Sequence, residues 1–160
     1  MNRSIKDVNV NIILTKEGLA ELKKELKNLI DVKRPEVVQK ISIARDMGDL
    51  SENAAYVSAR DEQAFIEGRI AELEEIVKNA VVSSGAPVKG VISVGCKIRV
   101  HVDGVEEEFC LVGGPEADPK EKKISHESPL GKALMGKKVG DKVEIEAPIG
   151  KLVYTILSVS

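Results

Sequence analysis

Aromatic residues are nearly missing from this chain. It has no Trp, and Tyr56, Phe65, Phe109 and Tyr154 are the whole set in 160 residues. A base-stacking platform for single-stranded nucleic acid needs several aromatics on one face, so that class of binding module starts at a disadvantage. Cysteine is scarce as well. Cys96 and Cys110 cannot make a disulfide scaffold or a four-ligand zinc site. An excess of either charge is absent: 24 Lys and Arg face 26 Asp and Glu, so any basic function must be local. No apolar run approaches the roughly 20 residues of a membrane span, and no signal-peptide pattern opens the chain. The expectation is a cytoplasmic protein with free thiols.

Proline and glycine are unevenly spread. Before residue 81 the only proline is Pro35, and the stretch is rich in Glu, Lys, Leu, Ala and Ile. This composition predicts helix. The remaining prolines and most glycines follow, among short alternating runs. A loop-forming cluster at Val81–Lys89, with Ser83, Ser84, Gly85 and Pro87, places a boundary there. Two domains are expected, 1–80 and 81–160.

Thr15 is an acceptable N-cap for a first helix with the apolar stripe Leu19, Leu22, Leu26 and Leu29. The stripe resumes at Val37, Ile41 and Ala44. The step from Leu29 to Val37 is a stutter, and Pro35 either kinks the helix there or starts a new segment. Gly48 is a natural stop. A second helix carries a heptad seam: Tyr56, Ala59, Gln63, Ile66, Ile70, Leu73 and Val77. The short link between the helices, Met47 to Ser51, forces them to be antiparallel neighbours. From Thr15 to Gly48 the helix would run about 50 Å, longer than the ~25 Å width of a globular unit of 80 residues. A two-helix finger is favoured over a folded-back bundle.

The second half reads as a small antiparallel sheet with a helix on one face. Lys97–Val102 alternates with period two, Asp103-Gly104 signals a hairpin, and Glu107–Val112 continues it. Val143–Glu146 and Leu152–Leu157 are further strands. Gly131–Gly136 reads as one short helix. The whole is α+β.

The far end of the finger is Ala44-Arg45-Asp46-Met47-Gly48-Asp49-Leu50-Ser51-Glu52-Asn53-Ala54. Asp49 and Glu52 are three apart where a helix begins, so both can share one face. Two hard oxygen donors can hold one Mg²⁺ if other ligands come from elsewhere. The competing reading is a helix cap, in which Asp49 accepts from the backbone and Glu52 reaches back. If Ser51 is the cap instead, both acids are released. Lys40, Arg45 and Arg60 form a small basic patch for a phosphate backbone, or pair with Asp46, Asp61 and Glu62. His101 and His126 have no second His at metal spacing and read as structural. Cys96 and Cys110 lie on adjacent strands, in the core or near the surface. Gly113-Gly114-Pro115 is a turn, not a phosphate loop.

The tip motif through Tyr56, followed by Ala59-Arg60-Asp61-Glu62-Gln63 and Glu67-Gly68-Arg69-Ile70, resembles bacterial transcript cleavage factors of the GreA/GreB type. The resemblance extends over nearly the whole chain. It includes Leu14-Thr15 with Gly18-Leu19, Arg34-Pro35-Glu36, Ile124-Ser125 with Ser128-Pro129-Leu130-Gly131, and Leu134 with Gly136-Lys137. It implies an N-terminal antiparallel coiled coil and a C-terminal FKBP-like, β-rich domain that binds RNA polymerase. The coiled coil would enter the secondary channel. Tip acids, by position Asp49 and Glu52, would help hold the second catalytic Mg²⁺ and position the attacking water. The polymerase would then cleave backtracked RNA. The factor itself would be an accessory protein and no free-standing enzyme, with no cofactor of its own and Mg²⁺ shared with the polymerase. Arg45, Asn53 and Arg60 would lie near the nascent RNA 3′ end in the active centre, and Ser125, Ser128 and Pro129 would touch the polymerase. A monomer with no membrane partner is expected. Two departures stand out: Ala55 replaces a frequent acid, and Ser51 a frequent Lys. An inhibitory paralogue would tend to alter the tip, where this chain keeps both acids. A prolyl isomerase would line its pocket with aromatics, and the second half has only Phe109 and Tyr154.

Overall fold

The computed structural model describes residues 11–49, 52–85, 87 and 90–160. Its class is α+β, with a helical hairpin followed by a β-rich region. The chain divides into two compact units. One is Ala20–Asn79; the other joins the segment ending at Leu19 to Ala80–Ser160.

The hairpin opens at Thr15, as its position before an apolar stripe predicts. The Thr15 hydroxyl oxygen accepts the Gly18 N–H at 3.0 Å and caps helix α1, Lys16–Asn28. The stutter between Leu29 and Val37 becomes a π-helical turn, Leu29–Lys33, in which the Arg34 N–H reaches back to the Leu29 carbonyl. The wider turn takes up an extra residue just where Pro35 brings a bulky ring and no N–H. Helix α2, Arg34–Asp46, then begins with Pro35 in its first turn, where a missing donor is harmless.

Helix α3, Ala54–Asn79, returns against α2. Val37 and Ile41 of α2 bury against Ala59, Ile66 and Ile70 of α3, with Leu26, Leu29, Ile30 and Tyr56 at the margins. The expected seam holds from Ala59 to Leu73 but ends differently. Ile76 is buried and Val77 only half so. From Leu73 to Ile76 the step is three where the heptad takes four, a stammer that locally overwinds the helix and turns the seam onto Ile76. Ion pairs bridge the helices outside the seam. Arg34 meets Glu67 with two bonds of 2.7 and 2.8 Å. Arg69 meets Glu25 at 2.7 and 3.0 Å.

In the other unit, strands β1 (Ile12–Leu14) and β2 (Ala80–Val82) pair in parallel, Ile12 opposite Ala80 and Leu14 opposite Val82. Strand β2 therefore occupies the start of the stretch expected to be loop. A five-stranded sheet follows, formed by β3 (Lys97–Val102), β4 (Val105–Val112), β5 (Lys123–Ser125), β6 (Lys142–Ala147) and β7 (Gly150–Val159). Their order is β5-β4-β3-β7-β6. The expected all-antiparallel sheet needs one correction, because β5 lies parallel to β4. Two short 3₁₀ turns, Gly114–Glu116 and Pro119–Glu121, supply the crossover that lets the chain run back the same way.

The core of this unit gathers Ile92, Cys96, Ile98, Val100, Leu111, Leu134, Val143 and Ile156. Leu134 comes from the short helix α4, Pro129–Leu134, which starts earlier than glycine spacing suggested. Ser128 caps it by accepting the Gly131 N–H at 3.0 Å, and Pro129 opens its first turn. No helix among the described residues is long and apolar enough to cross a membrane.

Candidate functional site

The hairpin end is built by a helix stop and a helix start. Helix α2 closes at Asp46, and the Met47 N–H donates to the Ala44 carbonyl at 3.2 Å. Gly48 then takes a φ of +131°, which lets the chain turn away without the strain another side chain would incur. Asp49 and Glu52 are exposed on the segment between the helices, and Arg45 is exposed on the last turn of α2.

The cap of α3 is Asn53. Its Oδ1 accepts the Tyr56 N–H at 3.0 Å, and its Nδ2 donates to the Ala44 carbonyl at 2.6 Å. This overturns the reading of Asp49 as cap with Glu52 as its partner. It also removes the idea that the two acids share a helix face, because both precede α3. The amide prevails because one carboxylate offers acceptors only, while this position needs an acceptor toward α3 and a donor toward α2. Ser51, the alternative cap, lies outside the described residues.

Of the basic candidates, Lys40 pairs with Glu62 at 2.9 Å. Arg60 is exposed and bonds through Nη1 to the Gln63 amide oxygen at 3.0 Å rather than to any of the acids considered for it. Two shallow open grooves flank the hairpin end, each of about 410 Å³. One is lined by Glu52, Asn53, Ser58 and Asp61 among others. The other has an apolar floor of Ile43, Ala44, Met47, Ala55 and Ala59. Met47 and Ile43 are 74% and 54% exposed, so apolar surface lies open at the end of α2. Ile43 and Met47 stand four apart and off the buried seam, a spacing that marks a second face of the helix. Sequence reasoning did not single this face out.

Among the described residues, no three His, Cys, Asp or Glu side chains gather closely enough to hold a metal ion. The exposed oxygens of Asp49 and Glu52 are hard donors of the type that suits Mg²⁺, but two carboxylates supply only part of the six-oxygen shell that ion demands.

The other segment singled out from sequence is internally bonded. The Ser128 hydroxyl donates to the Ser125 carbonyl at 2.6 Å, and the Ser125 hydroxyl oxygen accepts the Glu127 N–H at 3.1 Å. A Cβ on Gly131 would overlap that same Ser125 carbonyl, so the turn is closely packed. Pro129, the first residue of α4, is exposed. His101 points outward from β3, and His126 Nδ1 lies 3.4 Å from the Val112 carbonyl. Both cysteines are free. Cys96 is buried in the core, while burial pushes the Cys110 thiol up despite Lys123 and Lys97 nearby.

Glu116 went unnoticed in the sequence. Its carboxylate accepts from the Thr15 N–H at 2.9 Å, the Gly113 N–H at 3.0 Å and the Thr15 hydroxyl. It fills the space a side chain at Gly18 would need. The interaction joins residues far apart in the chain, so no local pattern announces it.

Residues 12–82 match the family model for the transcription elongation factor N-terminal domain. Residues 86–160 match the one for the GreA/GreB C-terminal domain. The chain is 52% identical over 151 residues to transcription elongation factor GreA of Thermoanaerobacter pseudethanolicus, covering 92% of this chain and 96% of the relative. It is 47% identical over 150 residues to GreA of Clostridium acetobutylicum, with 92% and 95% covered. Among solved structures, GreA factor homolog 1 of Thermus thermophilus aligns at 28% identity and a TM-score of 0.44, covering 94% of this chain and 99% of that one. The chain belongs to the GreA/GreB family of transcription elongation factors.

Proposed function

We propose that this elongation factor stimulates the RNA polymerase's own endonucleolytic cleavage of backtracked RNA. The observation that carries the reading is the exposed pair Asp49 and Glu52, on the segment where α2 ends and α3 has not begun. In-line phosphodiester hydrolysis needs an oriented water and stabilised charge on the leaving oxygen, which a pair of metal ions about 4 Å apart supplies. Asp49 and Glu52 would add carboxylate oxygens to the shell of an Mg²⁺ that the polymerase holds only loosely. Their second task is to accept a hydrogen bond from the attacking water and orient it. Arg45 and Arg60 would face the phosphates of the nascent RNA 3′ end. The sheet-bearing unit would dock on the polymerase through the turn at Ser125, Ser128 and Pro129. The hairpin would enter the secondary channel as a monomeric accessory protein, which does no cleavage by itself and acts in the cytoplasm where the polymerase works.

The test is a cleavage assay on halted, backtracked polymerase complexes. Wild-type factor is expected to accelerate cleavage. Asp49→Asn and Glu52→Gln are each expected to lower the stimulated rate by about a hundredfold or more, with factor binding to polymerase unchanged. Full stimulation by both variants would refute the acid-pair role, and inhibition by wild type would reverse the sign of the proposal.

A further inference from the structure

We infer that Asn53 is a positioning residue for the acid-bearing segment, acting through the backbone of α2 and α3; the inference rests on the role proposed above for Asp49 and Glu52. One amide uses both of its ends. Oδ1 takes the Tyr56 N–H in the first turn of α3 at 3.0 Å, and Nδ2 donates to the Ala44 carbonyl in the last turn of α2 at 2.6 Å. Ala44 is 3% exposed, and its carbonyl also receives the Met47 N–H at 3.2 Å. The same carbonyl thus fixes where the segment leaves α2, and through Asn53 where it enters α3. Asp49 and Glu52 lie between these two anchors.

A helix cap alone does not require this residue type. Ser and Asp cap as well as Asn does. What Asn adds is a donor long enough to reach a carbonyl on the facing helix. An ionised carboxylate has no donor, and a serine hydroxyl is too short. Two carboxylates that share one cation with a second molecule work only if held near the right separation, and looseness of about 1 Å is enough to lose most of the effect. The bridge from α2 to α3 supplies that restraint.

The test uses the full-length factor on backtracked polymerase complexes, with Mg²⁺ varied. Asn53→Ser keeps an uncharged cap but loses the bridge, and Asn53→Asp keeps cap and length but loses the donor. Both are expected to lower the stimulated rate at saturating factor about tenfold and to raise the Mg²⁺ concentration for half-maximal cleavage about threefold or more. The melting temperature and the half-saturating factor concentration are expected to stay near the wild-type values. Wild-type cleavage by Asn53→Ser would overturn the inference. So would a lost rate with an unchanged Mg²⁺ requirement, or a loss that comes wholly from weaker factor binding, which marks a direct contact. Glu52→Gln in the same assay separates the two claims. If it cleaves like wild type, the acid-pair role has failed. If it is inactive while Asn53→Ser is not, only the positioning role has failed.

Discussion

Glu116 shows how much one side chain can organise. Its carboxylate collects two N–H donors and the Thr15 hydroxyl, and it occupies the place of a Cβ at Gly18. Hydrogen bonds to a charged acceptor contribute about 1.5–3 kcal/mol each when the alternative is an unpaired group. Gly18→Ala must displace that carboxylate, so it is expected to destabilise the fold by about 2 kcal/mol or more. In a Glu116→Ala background the same substitution should cost much less, because the obstacle is already gone. A double-mutant cycle by urea denaturation reads the coupling, and strict additivity would contradict the packing described. Residues of this kind escape a sequence reading. Thr15 was legible as a cap from its neighbours alone, whereas Glu116 meets it across a hundred positions of chain. Asn53 failed to announce itself for another reason. Asp49 and Glu52 fit a capping pattern by spacing, and nothing local revealed that a donor was wanted as well as an acceptor.

At the scale of elements, the hairpin was legible because its signals are periodic. Leu19, Leu22 and Leu26 on one helix and Ile66, Ile70 and Leu73 on the other repeat at helical steps. The π turn appeared in advance only as a stutter, since the pattern shows that an extra residue must be absorbed but not how. In the sheet, Lys97–Val102 was visible by alternation, while the three-residue β5 is too short to show a period. Its parallel pairing follows from the crossover rather than from its own residues. The ion pairs across the helices carry a pH dependence. The Arg34 hydrogen bonds hold Glu67 below the ordinary carboxylate value of 4.5. A depressed folded-state value means the stabilisation is complete above that ordinary value and vanishes as pH falls through the lowered one. Glu67→Gln is therefore expected to lower the thermal midpoint of the hairpin modestly at pH 7. Once the pH has fallen below the lowered value, the difference from wild type should disappear. The pair is exposed, so solvent screening keeps the effect small, and added salt should shrink it further. A difference that persisted in acid would show that Gln harms packing instead.

For the whole molecule, the division into two units predicts where damage spreads. Ile70 is 2% exposed in the hairpin seam, and Ile98 is fully buried in the sheet core. Truncating either to Ala is expected to cost about 2–5 kcal/mol. Native-state hydrogen exchange should then show Ile70→Ala lowering protection within residues 20–79, and Ile98→Ala lowering it within the sheet. Equal loss of protection everywhere in both variants would mean that the chain opens as one cooperative body. The family-level reading was legible because separate motifs lie in order along the chain, from Leu14-Thr15 to Gly136-Lys137.

The parallel pairing of β1 with β2 has a consequence for how such proteins can be altered. The chain departs for its helices from Leu14 and comes back at Ala80, on strands that already lie side by side and in register. The intervening stretch is thus bracketed like a cassette between two fixed ends. Exchange of that stretch for a relative's helices leaves the clasp intact wherever the two junctions keep their alignment. A family can therefore vary what its helices carry while the sheet-bearing unit is inherited unchanged.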